Sequence, residues 1–138
     1  MSDTWEARIY LRCESHKGRT VLTENEHEGP LVVQKVFYPE ETAHVYLLHP
    51  PGGIAGCDRL ETRLEAAAGS KVLLTTPGAT KYYRTAGDLV SRVRQDFTAG
   101  DGAELEILPQ PNIYFLGTHT KVLSFNDAAP TEKFIFWD

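Results

Sequence analysis

Apolar and polar residues alternate along this chain with a period of two. Over residues 5–13, Trp5, Ala7, Ile9, Leu11 and Cys13 alternate with Glu6, Arg8, Tyr10 and Arg12. Successive side chains of a strand point to opposite faces, so the pattern predicts a half-buried strand. Residues 58–66 repeat it, with Leu60, Thr62, Leu64 and Ala66 set against Arg59, Glu61, Arg63 and Glu65. A helix there would gather Leu60, Leu64 and Ala67 on one face, so both readings stay open; the alternation favours the strand.

β-Branched and aromatic runs follow at residues 20–23, 31–38, 44–49, 71–76, 89–98, 103–108, 113–116, 121–125 and 133–137. Turn residues separate them: His16-Lys17-Gly18, Glu28-Gly29-Pro30, the segment 50–53, Ala68-Gly69-Ser70, Ala86-Gly87-Asp88 and Ala99-Gly100-Asp101-Gly102. Many short strands with closely spaced turns predict an all-β protein. The expected fold class is many short strands in stacked or helical β layers, with little or no helix. No repeat of fixed period, low-complexity segment or linker is evident, so residues 1–138 read as a single β-rich region. The apolar run Phe134-Ile135-Phe136-Trp137 reaches the last residue, Asp138. A greasy strand left there is an unpaired edge, and the expectation is an incomplete fold.

Composition narrows the function classes. The chain is 41% hydrophobic and 24% charged, which fits a globular core rather than disorder. Its apolar runs are far shorter than a membrane helix needs, and Met1-Ser2-Asp3-Thr4-Trp5-Glu6 lacks the basic start of a secretory leader. A net charge of −5 argues against a general nucleic-acid binder. Two cysteines, Cys13 and Cys57, cannot build a disulfide framework, so a reducing, cytoplasmic setting is expected.

Two Gly/Pro-rich turns could carry chemistry. They are His49-Pro50-Pro51-Gly52-Gly53-Ile54-Ala55-Gly56-Cys57-Asp58 and Thr75-Thr76-Pro77-Gly78-Ala79-Thr80-Lys81-Tyr82-Tyr83-Arg84. The first lacks the Lys-Ser/Thr of a phosphate loop and feeds a strand rather than a helix. His44, His49, Cys57 and Asp58 are metal-ligand types, but no paired Cys or His motif assembles a closed site. His16, His27 and His119 read as surface residues. No Gly-x-Ser-x-Gly stands in the chain, and Cys57 has no evident cationic partner to activate it. Tyr82, Tyr83, Tyr114, Phe115, Phe134, Phe136 and Trp137 read first as β core and second as an interface.

Taken together, Gly29-Pro30-Leu31 through Pro39-Glu40, the two turns above and Leu108-Pro109-Gln110 resemble the urease accessory protein family UreD, called UreH in some organisms. The likeness runs in order along essentially the whole chain. It departs at Cys57, where the family has glycine, and at Ile107 and Pro111 beside Leu-Pro-Gln. Phe136-Trp137-Asp138 resembles a strand from the middle of family members, so the chain is expected to match their N-terminal half. The resemblance implies a non-enzymatic scaffold that binds apo-urease, recruits a UreF-like protein and, through it, a UreG-like GTPase, and promotes nickel delivery. It implies no tightly bound cofactor, only nickel in transit, with Asp58, Thr80 and Asp138 matching polar positions of the nickel route. His49 and Lys81 are weaker candidates from the same motifs. The contrasting readings are an enzyme using Cys57 and Asp58, and a truncated β-domain with no function of its own.

Overall fold

The computed structural model describes residues 6–29, 31–39, 41–48, 53–54, 58–78, 80–84, 87, 89–108, 112–129 and 133–136. No helix occurs among them. The strands are β1 (Glu6–His16), β2 (Arg19–Glu28), β3 (Val32–Phe37), β4 (Ala43–Leu48), β5 (Gly53–Ile54), β6 (Arg59–Ala66), β7 (Lys71–Thr75), β8 (Lys81–Tyr82), β9 (Ser91–Ala99), β10 (Glu104–Ile107), β11 (Ile113–Tyr114), β12 (Thr120–Ala128) and β13 (Lys133–Phe136). Residues 58–66, open to a helix reading, form strand β6.

The strands wind as a solenoid of three sheets. The first sheet has the order β12-β9-β6-β1-β2, the second β13-β10-β7-β4-β3, and the short third β11-β8-β5. Each coil passes from the second sheet through the third to the first. Strands of successive coils pair in parallel; only β1–β2 and β3–β4 are antiparallel. The all-β expectation in helical layers therefore holds. Strands β5 and β8 were expected as turns: a two-residue strand is too short to show an alternation.

Inward residues stack in rows along the solenoid axis. Leu11, Leu64 and Phe97 form one row, and Val45, Leu74 and Ile107 another, all buried. The corners from the first to the second sheet also stack. Ser70 N–H bonds the Ala67 carbonyl at 3.0 Å, and Ala103 N–H bonds the Gly100 carbonyl at 3.1 Å, in equivalent turns on consecutive coils. A Cβ at Gly100 would stand 2.9 Å from the Ala68 nitrogen, so this close stacking requires glycine. A structural repeat of roughly 30 residues thus exists without a sequence repeat, because each coil needs only inward apolar positions and a turn.

The two ends of the solenoid differ. Strand β2 closes one edge with exposed Glu24, Asn25, Glu26, His27 and Glu28, polar side chains that discourage further pairing. At the other end β11, β12 and β13 are edge strands. Ser124, Asn126 and Ala128 on β12 stand level with Gln95, Phe97 and Ala99 on β9, yet all three are exposed. That rung lacks the cover its predecessor has, which agrees with an incomplete fold.

Candidate functional site

The third sheet and its corners bring the two glycine-rich turns side by side. Gly53 of β5 pairs with Lys81 of β8, which pairs with Ile113 of β11; Ile54, Tyr82 and Tyr114 form the next rank. Ile54 and Tyr82 are buried, and the Tyr114 ring stacks on Tyr82 at 4.7 Å. Thr80 enters this sheet half-buried, its carbonyl accepting the Ile113 N–H at 2.8 Å. Lys81 is exposed.

Asp58 sits where the chain leaves the third sheet for the first. It is 7% exposed, a depth that a carboxylate rarely reaches without partners. The Arg92 N–H donates to its carbonyl at 2.8 Å, and Arg59 pairs with Arg92. Asp58 therefore stands level with Ser91, which pairs in turn with Thr120. Ser91 is fully buried and Thr120 half-buried, with Thr120 Oγ1 2.8 Å from Thr118 Oγ1. An oxygen-bearing row thus runs inward across three coils. Sequence spacing alone could not reveal it, because Asp58, Ser91 and Thr120 share no motif and meet only through parallel register.

Four of the sequence candidates lie among the described residues: His44, Asp58, Thr80 and Lys81. Thr80 leads into β8, whereas Asp58 precedes β6. His44 is half-buried on β4, in a different sheet. His49, Cys57 and Asp138 fall outside the described residues. Among the described residues no group of three or more His, Cys, Asp or Glu side chains is placed to hold a metal. A groove of about 430 Å³ runs over β1, β2 and β6, lined by Arg8, Tyr10, Glu26, His27, Glu61 and Arg63 among others. None of the described candidates His44, Asp58, Thr80 and Lys81 lines it.

The other chemical candidates separate by burial. Cys13 is completely buried in the core, and desolvation pushes its thiol up to about 12, so it is no nucleophile at neutral pH. His16, His27 and His119 are exposed, as expected. Of the aromatics read first as core, Tyr82 is buried, but Tyr83, Tyr114 and Phe115 are 39–53% exposed, with Tyr83 stacked on Phe115 at 5.2 Å. The core reading fails for Tyr114 because it lies on the edge strand β11 with no further coil over its ring among the described residues, and for Tyr83 and Phe115 because they stand just beyond strands only two residues long. Phe134, Phe136 and Trp137 have side chains outside the described set.

Sequence comparison decides the family. The profile of the UreD urease accessory protein family matches residues 6–138. A curated "Urease accessory protein UreD" of Escherichia coli is 46% identical over 135 residues, covering 97% of this chain and 48% of the relative. Relatives of the same name from Klebsiella aerogenes and Dechloromonas aromatica are 44% and 46% identical, covering 97% and 99% of this chain and 50% and 48% of their own lengths. The chain belongs to the UreD family. It spans about half the length of these curated UreD relatives, which agrees with the uncovered β11–β12–β13 end. Among its described residues, no helix is long and apolar enough to cross a membrane.

Proposed function

We propose that this UreD-family chain forms part of a scaffold for urease maturation, one that binds apo-urease together with UreF-like and UreG-like accessory proteins in the cytoplasm. It passes nickel along an internal polar route rather than transforming a substrate. The observation that carries this reading is the inward row of Asp58, Ser91 and Thr120, with a buried carboxylate at its head.

The chemistry of the row suits transit. Carboxylate and hydroxyl oxygens, with water completing the shell, hold Ni²⁺ more weakly than a closed imidazole and thiolate set. Successive rungs of a β-ladder are about 4.8 Å apart, so a partly hydrated cation can exchange one oxygen for the next. The Asp58 charge attracts the ion, and neutral hydroxyls beyond it do not trap it. Thr80 and Lys81 flank the neighbouring corner: Thr80 offers a further hydroxyl, and the Lys81 cation repels the metal from the outer face of that sheet. Asp138 and His49 complete the proposal from family resemblance. The reading assigns no bond-making step to the chain and no resident cofactor.

The test is a chimaera in which this chain replaces the matching half of the Escherichia coli relative, co-expressed with urease and its accessory proteins. Asp58→Asn is expected to leave the complex intact on co-purification while lowering urease nickel content about tenfold or more. Normal nickel loading by that variant would overturn the route. Failure of the unsubstituted chimaera to co-purify with any urease or accessory subunit would overturn the scaffold.

A further inference from the structure

The outer face of the first sheet carries a cationic row that the transit reading does not use. Alternation turns Arg59 on β6, Arg92 on β9 and Lys121 on β12 outward, and all three are exposed. The ladder sets them directly opposite one another, Arg59 with Arg92 and Arg92 with Lys121. Like charges in register on neighbouring strands destabilise a sheet. Four other cations on this face are neutralised: Arg8 lies 3.8 Å from Glu61, Arg12 2.8 Å and Arg63 3.1 Å from Glu65, and Arg94 2.9 Å from Asp96. Among the described residues no such ion pair is found for Arg59, Arg92 or Lys121. Glu6 stands opposite Arg59 on β1, so the uncompensated charge concentrates at Arg92 and Lys121.

Apolar surface adjoins this end of the row. Leu123 and Phe125, on the same outward face of β12, are 54% and 47% exposed, and the Arg94 guanidinium lies 4.5 Å from the Phe125 ring centroid. A lysine on an edge strand can simply discourage pairing. That explanation serves Lys121 but not Arg92 or Arg59, whose strands are interior to the sheet. Exposed aromatic and aliphatic side chains beside arginine are the composition of a protein interface.

We infer that this face of β9 and β12 docks an acidic, amphipathic segment of a partner protein, with carboxylates over Arg92 and Lys121 and an apolar side chain on Leu123 and Phe125. Charge complementarity and the adjoining apolar patch select this occupant. A nucleic acid or an anionic lipid surface would meet Glu61 and Asp96 next to the row and a chain of net charge −5 around it. The surface stands on the ladder register and not on the metal route, so an unchanged nickel load in the Asp58→Asn test would leave it standing.

The test uses the 138-residue chain and a fluorescent synthetic helix-forming peptide with glutamate on one face and leucine on the other, read by anisotropy. The parent chain is expected to bind it. Arg92→Glu with Lys121→Glu, or a rise from low to high salt, is expected to weaken binding about tenfold or more. Leu123→Ser with Phe125→Ser is expected to weaken it independently of salt, and Arg92→Lys to retain it. Unchanged thermal melts confirm that these exposed changes leave the fold intact. The proposal is overturned if the charge-reversed variant binds as the parent does, or if a glutamine version of the peptide binds equally well. It is also overturned if duplex DNA or phosphatidylserine vesicles bind more tightly through the same residues, or if the row mediates only self-association.

Discussion

The backbone N–H of Arg92 reaches the carbonyl of Asp58 at 2.8 Å, tying a buried carboxylate on one coil to the first outward cation of the next. Replacing Asp58 by asparagine keeps its shape and one hydrogen-bonding oxygen, so the expected loss of stability is below about 1 kcal/mol. Alanine, which strands its buried partners, is expected to cost about 1–3 kcal/mol. Urea unfolding monitored by circular dichroism checks both values, and a large loss for asparagine would show that Asp58 is primarily structural.

Glu65 sets the acid limit of the first sheet. Partial burial pulls its pKa upward, but hydrogen bonds from Tyr10 Oη and Arg12 Nη1, each 2.8 Å, outweigh this and hold it below 4.5. The folded chain therefore binds fewer protons here than the unfolded chain. The resulting stability is full above about pH 4.5 and is lost as pH falls through the lower folded value. Glu65→Gln is expected to cost about 1 kcal/mol at neutral pH and to flatten the acid limb of a stability–pH curve.

Tyr10 works in the opposite direction. Burial, reinforced by its bond to Glu65, raises it from 10.0 to about 12. Its contribution is present below pH 10 and fades as pH rises toward the folded value. Tyr10→Phe is expected to weaken the alkaline dependence between those limits, measured by thermal melts.

Phe97 fills the row begun by Leu11 and Leu64 and is 2% exposed. Phe97→Ala is expected to cost about 3–5 kcal/mol because neighbouring coils cannot close around the cavity, whereas Phe97→Leu is expected to cost about 1 kcal/mol. Equal midpoints for the two in urea would contradict this packing.

Gly29 has φ of +74°, and a Cβ there would lie 2.5 Å from the Glu6 carbonyl oxygen. Gly18 also has positive φ, but a Cβ would meet nothing within 4 Å. Gly29→Ala is expected to cost about 2 kcal/mol or more, and Gly18→Ala about 1 kcal/mol. Chemical denaturation of the two variants measures the difference, which isolates the clash from the backbone strain.

Much of the strand content was legible because it rests on local alternation. Residues 5–13 and 58–66 announced β1 and β6 through one apolar and one charged face, and the turn residues at 68–70 and 99–102 marked the corners between sheets. The short strands β5 and β8 were not legible, since two residues carry no period. The exposure of Tyr83, Tyr114 and Phe115 was likewise hidden, because an aromatic run reads the same whether its sheet is wide and covered or narrow and open.

Asp58 and Thr80 were singled out by their motifs, while Ser91 and Thr120 were invisible as their companions. Arg59 and Lys121 likewise looked like scattered surface charges, and Arg92 stood out only as a neighbour of Arg94. The sequence by itself determined that strands would form and which side chains would face inward, because alternation and turn chemistry act within a few residues. Only the tertiary structure decided which strands lie next to one another. Parallel pairing joins residues about 30 positions apart, and the free energy of that register comes from coils stacking as a whole. Two features on which the functional proposals rest follow from that register alone: the polar row led by Asp58 inside the solenoid, and the cationic row ending at Lys121 outside it.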